Sequence, residues 1–184
     1  MKKSTLILLT VLLLAGIGAC TKQSLKTIYD KQISYIESFI GTQMKSDTTA
    51  TLVMNEGTYR LTLHDTLALK DSLLPGGKVA LWYACFTLTS GSITRSNLVA
   101  TNSKSIATQA GWTLSDTTRY KLDTLTLGDH LVKGLARGLQ GVQAGDEAYI
   151  LFTGENGFGN TERGMIPARS ALVYAIWIDN ISNE

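Results

Sequence analysis

The chain has 184 residues, of which 17 are Lys or Arg and 15 are Asp or Glu. So even a balance, without a basic patch, excludes nucleic acid as a partner. The cysteines number only two, Cys20 and Cys85, too few for a disulfide framework.

The first 19 residues read as a targeting segment. Lys2 and Lys3 give a positive start, and Leu6 to Ile17 is apolar except for Thr10 and Gly16. That run is too short for a stable membrane span. Gly18 and Ala19 stand just before Cys20 and resemble a bacterial lipobox. Cleavage there makes Cys20 the first residue and the point of lipid attachment. Each buried lipid methylene contributes about 0.8 kcal/mol, and two or more chains anchor lastingly. The expectation is a domain held by its lipid outside the cytoplasm, at the outer membrane or the periplasmic face. The other reading is an ordinary secretory signal that contains a cysteine. Without residues 1–19 the chain keeps 165 residues, with 15 basic and 15 acidic side chains. Cys85 then has no partner for an internal disulfide, so an exported domain must rely on its core. The size suits one domain with an extension. We place a tether and helix at 20–50 and the domain at 51–184.

Along 24–40, Leu25, Ile28, Tyr29, Ile33, Ile36, Phe39 and Ile40 recur at helical spacing, which predicts a helix with one apolar face. Gly41 is its expected stop. Residues 51–63 read as two strands around the turn Asn55-Glu56-Gly57. Leu67 to Leu74 has no clear period, and Pro75-Gly76-Gly77 is a turn. A long strand is predicted over 78–91. Residues 92–121 read as a loop-rich insertion with short strands, and Leu122 to Leu127 as a strand. Asp129 is the expected N-cap of a helix bearing Leu131, Val132, Leu135, Leu139 and Val142 on one face. Gly134 and Gly138 lie inside it, at a cost of about 1 kcal/mol each against Ala. That implies close approach to a sheet. Lys133 and Arg137 argue against a membrane helix-pairing motif there. Ala148 to Thr153 is a strand, Gly154 to Pro167 a loop and Ala171 to Ile178 a final strand. The sum is α+β: an antiparallel sheet with one short central helix.

Reactive groups are sparse. His64 and His130 are far apart, no Cys/His set has metal spacing, and neither a G-x-S-x-G elbow nor a Walker motif is present. Gly154-Glu155-Asn156-Gly157-Phe158-Gly159 is glycine-rich but lies between two strands. It lacks the helix that would bind phosphate, so a nucleotide is not expected. His130 reads as a helix-start residue, and Asp146 and Glu147 as solvated surface at a turn. No cofactor and no metal are expected.

From about Gly76 to Ile181 the chain resembles the FKBP-type peptidyl-prolyl isomerases, and most strongly from Leu127 to Trp177. The family's helix V-I-x-G-W-x-x-G-L corresponds to LVKGLARGL. Its x-G-M-x-x-G-E turn and strand correspond to QGVQAGDEAYILF. The Y-G loop, I-P-P turn and last strand correspond to NGFGN, MIPARS and LVYAIWI, and the V-x-Y-x-G strand to Leu81 to Cys85. The chain is similar to Bacteroides-type lipid-anchored members that carry an N-terminal helix. The resemblance implies a curved antiparallel sheet wrapped around one short helix. It implies proline-containing peptides or exported proteins as partners. It also implies a pocket built from Tyr83, Val132, Leu135, Phe158 and Tyr174, with Val99, Ala100, Leu131 and Ile166 around it. Val132 would offer its backbone N–H to a substrate carbonyl. Leu135 replaces the family's tryptophan, Val99-Ala100 its phenylalanine-aspartate pair, Phe158 the loop tyrosine, and Ala168 the second proline.

Overall fold

In the computed structural model the backbone is described for residues 2–64, 71–128 and 130–184, and side chains for 23–63, 71–128 and 130–184. The side chains of the targeting segment, of Cys20 and of His64, and the whole of Asp129, lie outside the described residues. So do residues 67–70 of the aperiodic stretch from Leu67 to Leu74. Among the described residues no helix is long and apolar enough to cross a membrane. The chain divides into two units, Met1–Lys31 and Gln32–Glu184.

Helix α1 spans Lys2–Ser46. It passes through Gly41, the expected stop. One glycine costs only about 1 kcal/mol in a helix, and burial of Ile36, Phe39 and Ile40 just before it outweighs that. The helix ends where Asp47 turns to accept the backbone N–H and hydroxyl of Thr49 at 2.9 and 2.7 Å.

Seven strands follow: β1 (Thr51–Asn55), β2 (Thr58–His64), β3 (Lys78–Thr87), β4 (Leu98–Thr101), β5 (Asp123–Thr126), β6 (Glu147–Phe152) and β7 (Leu172–Ser182). They form one sheet in the order β1-β2-β6-β7-β3-β4, with β5 also on β3, and every pairing is antiparallel. The β1–β2 turn has positive φ at both Glu56 and Gly57, 44° and 78°, the tight hairpin geometry that matches strand twist.

Helices α2 (Lys104–Gln109) and α3 (Lys133–Leu139) complete the fold. Helix α2 lies where only loops and short strands were expected, and is capped by Ser103, whose hydroxyl accepts from Ile106 N. Helix α3 is shorter than the apolar pattern suggested. Val132 holds the N-cap position with no side-chain cap, and Leu131 and Val142 lie outside the helix.

Period-two alternation sends each strand's side chains to opposite faces. Leu81, Cys85, Ile150, Phe152, Leu172, Tyr174 and Ile176 meet Leu135 and Leu139 of α3 in the main core. On the other face, Tyr59, Leu61, Leu151 and Val173 meet Ile36, Phe39 and Ile40 of α1, with the Phe39 ring edge-on to Tyr149 at 5.1 Å. Gly134 and Gly138 do make the close approach they implied. A Cβ on Gly134 would overlap the Phe152 ring, and one on Gly138 would overlap Ile150.

Asp146 is not solvated surface. It is only 6% exposed, and its carboxylate accepts the Gln143 N–H at 2.8 Å. Its charge acts on the Arg60 guanidinium, whose pKa is nevertheless lowered by burial. Arg60 in turn donates to the Gly138 and Gln140 carbonyls at 3.1 and 2.6 Å, closing the C-terminal end of α3.

Candidate functional site

The α3 face of the sheet gathers nine side chains from six parts of the chain. Strand β3 supplies Tyr83, β7 Tyr174, and β4 Val99 and Ala100. The approach to α3 gives Leu131 and Val132, and α3 itself Leu135. The loop between β6 and β7 gives Phe158 and Ile166. All nine belong to or pack against the one core cluster. Leu135, Ile166 and Tyr174 are 8%, 7% and 9% exposed, buried within that core. Tyr83, Val99, Ala100, Leu131, Val132 and Phe158 are half-buried against it.

Sheet register explains part of this convergence. Ala100 pairs with Cys85, Cys85 with Tyr174, and Tyr174 with Ile150, so four side chains stand in one row across β4, β3, β7 and β6. The Tyr174 ring stacks on Phe152 at 6.0 Å and lies 6.1 Å from Tyr83, tilted by 43°. Such ring pairs contribute about 0.5–1.5 kcal/mol beyond their buried area.

The few polar atoms here are strongly biased to stay neutral. Burial pushes the Cys85 thiol up to about 12, against a smaller downward pull from its hydrogen bond with Tyr174. The Tyr174 hydroxyl is raised well above its usual range, first by burial, then by Cys85 and Tyr83. Tyr83 is raised by burial and then by the charge of Asp123 on β5. Asp123 is thus a carboxylate that bears on Tyr83 from a neighbouring strand. An apolar site of this kind offers no general acid or base at neutral pH. It offers shape, ring faces and backbone amides.

Several residues that hold the site drew no attention as sequence. Asn102 is 1% exposed and serves as a substitute strand in the gap between β4 and β5. Its side chain accepts the Tyr83 N–H at 2.7 Å and donates to the Leu81 carbonyl at 2.9 Å. Thr101 donates to the Tyr83 carbonyl at 2.6 Å. Asn156 accepts the Gly134 N–H at its carbonyl, 2.8 Å away, and accepts from Arg137 at its side chain, also at 2.8 Å. Arg137 also pairs with the Glu56 carboxylate. The β1–β2 turn, α3 and the Phe158 loop are thereby tied together. An Asn after a strand carries no periodic signal, and these long-range partners are visible only in three dimensions. Among the described residues no group of three or more His, Cys, Asp or Glu converges on a metal-sized site.

Residues 75–179 match a family model described as FKBP-type peptidyl-prolyl cis-trans isomerase. No curated protein sequence matches the chain. Among solved structures it is similar to a peptidyl-prolyl cis-trans isomerase of Pseudomonas syringae pv. tomato, at 12% identity and TM-score 0.58 over 86% of this chain and 96% of that one. It is also similar to FkpA of Escherichia coli, at 11% identity and TM-score 0.56 over 92% and 68%. The N-terminal domain of FKBP42 of Arabidopsis thaliana is a third, at 18% identity and TM-score 0.51 over 74% and 94%. Likeness at these identities speaks for the fold.

Proposed function

Because the chain belongs to the family of FKBP-type peptidyl-prolyl cis-trans isomerases, we propose that it accelerates cis/trans exchange of X–Pro bonds in exported proteins, held at the cell envelope by lipid on Cys20. The observation that carries this reading is the convergence of Tyr83, Leu135, Phe158, Ile166 and Tyr174 on one apolar cluster. An X–Pro bond isomerises slowly enough to limit folding, and planar amides resist rotation by about 18–20 kcal/mol. Midway through the turn the amide has lost its resonance and is less polar than the planar form. Water solvates the planar form better, so an apolar pocket favours the twisted one. Tyr83, Phe158 and Tyr174 surround the proline ring, Leu135 lies beneath it, and the Val132 N–H holds the neighbouring carbonyl. Val99, Ala100 and Leu131 shape the pocket for the residue before proline.

The test is NMR exchange spectroscopy on a Phe-Pro peptide with the purified chain. Faster cis/trans exchange is expected, and no acceleration at high protein concentration would refute catalysis. A second reading, peptide holding without useful catalysis, is favoured by two positions. Leu135 is a narrower floor than an indole, and Ala100 leaves its place without a carboxylate. Peptide resonances that shift on titration without faster exchange would select it. For the anchor, Cys20→Ser should move the chain from the membrane to the soluble fraction, and an unchanged membrane fraction would exclude lipid on Cys20.

A further inference from the structure

Phe158 and Ile166 sit on one loop, residues 154–169, and its two ends leave the sheet side by side. The approach is tight: a Cβ on Gly154 would stand 2.6 Å from the Arg169 carbonyl carbon and oxygen. Arg169 itself holds φ 60°, a left-handed backbone that a residue with a Cβ adopts only when its surroundings enforce it. Inside the loop, the Gly159 N–H bonds the Gly154 carbonyl at 2.8 Å, and the Arg169 N–H bonds the Gly159 carbonyl at 2.6 Å. The Arg169 Nε also reaches Asn160 Oδ1 at 2.6 Å.

The junction of the two ends is bridged from outside the loop by Gln32 of α1, 8% exposed. Its Oε1 accepts the Gly154 N–H at 2.9 Å, and its Nε2 donates to the Arg169 carbonyl at 2.5 Å. One primary amide thus satisfies the first limb with its acceptor and the last limb with its donor. A carboxylate of the same length lacks the donor, and a thioether of similar size supplies neither bond at useful strength.

We propose that Gln32 is a positioning residue for the site: it clasps the base of the 154–169 loop and so sets where Phe158 and Ile166 stand. The inference rests on reading this site as a proline-peptide pocket. Gln32 touches no substrate and acts through the loop.

The experiment compares the full chain with Gln32→Met and with Phe39→Leu. Phe39 is on the same helix, seven residues beyond Gln32, 1% exposed and with its ring edge-on to Tyr149. Amide hydrogen exchange over 153–170, thermal unfolding, and NMR exchange on the Phe-Pro peptide are measured for all three. Gln32→Met should speed exchange in the loop about tenfold or more while β6 and β7 keep their protection. It should also lower kcat/KM about tenfold, mainly through KM. Phe39→Leu should lower Tm but leave loop exchange and kcat/KM within about twofold. Wild-type loop exchange and kcat/KM in Gln32→Met would overturn the proposal. So would an equal loss of kcat/KM in Phe39→Leu, which would reduce Gln32 to general stability. If the wild-type chain itself leaves peptide exchange unaccelerated, the isomerase reading fails separately. Gln32 is then judged on loop exchange and peptide affinity by titration: loosening with about tenfold weaker binding supports it, and no change in either overturns it.

Discussion

Gly134→Ala sets helix propensity against packing, and the structure decides the sign. In a helix interior, Ala is favoured over Gly by about 0.8–1 kcal/mol. The new methyl would overlap the face of the Phe152 ring, which is 0% exposed and stacked on Tyr174 behind. The ring has no free side to retreat to. Either it presses into Tyr174, or α3 lifts from the sheet and strains the Gly134 N–H bond to the Asn156 carbonyl. Overpacking of this kind costs about 1–3 kcal/mol, and a weakened buried hydrogen bond adds about 0.5–1.5 kcal/mol. The net expectation is a loss of about 1–3 kcal/mol, or about 2–4 °C of Tm per kcal/mol at this size. Urea unfolding of wild type, Gly134→Ala, Phe152→Leu and the double variant measures it. Phe152→Leu removes the ring that the methyl meets, so the double variant should be more stable than the two single losses added, by about 1 kcal/mol or more. A Gly134→Ala chain as stable as wild type, or strict additivity in the cycle, would refute the argument that ring contact dictates glycine here.

Two further outcomes follow from the same geometry. Cys85 has its pKa raised from 9.0 to about 12 in the folded chain, so its contribution is fully present below pH 9 and is lost as pH rises toward 12. Stability should therefore fall by about 1.4 kcal/mol per pH unit in that window. Tyr174 adds a loss of the same sign at higher pH. Cys85→Ala should flatten the pH 9–10 segment in guanidinium titrations, and an unchanged slope would show that the thiol is not held neutral. Asn102→Ala strands the Tyr83 N–H and the Leu81 carbonyl, at about 1–3 kcal/mol for each buried group. Urea unfolding should show a loss of about 2 kcal/mol or more, and a loss under about 0.5 kcal/mol would mean that neighbours or water take over both bonds.

What could be read without coordinates was whatever repeats locally. Period-two alternation in β3 and β7, the Glu56-Gly57 turn and the paired glycines of α3 each act over a few residues. Their sum gives the α+β sheet. The residues that the resemblance picked out for the site came from matched motifs rather than from periodicity, and they lie in or against the main core cluster. The misreadings share a different cause. Helix α2 is six residues long, too short for periodicity to outweigh its Ser and Thr content. Asp146 looks like a solvated turn residue until Arg60 is brought beside it from β2. Gln32 sits on the apolar side of α1 as a polar exception, and only the fold shows the two carbonyl and amide groups that occupy it. Polar residues at sites of long-range closure carry no spacing rule, so they are found by structure.

The place of β7 in the sheet also constrains the order of assembly. It is the last strand of this chain, yet it lies between β6 and β3 and pairs with both. During synthesis, β3 is complete at Thr87, 85 residues before its main partner begins at Leu172. Until then β3 and β6 each present an unpaired edge and an uncovered apolar face, the state most open to association with other chains. The sheet therefore cannot close progressively from the N-terminus. Closure is a late, nearly all-or-none event that waits on residues 172–182. Until residues 172–182 are made, Tyr83 and Leu135 lack the Tyr174 with which they share the core.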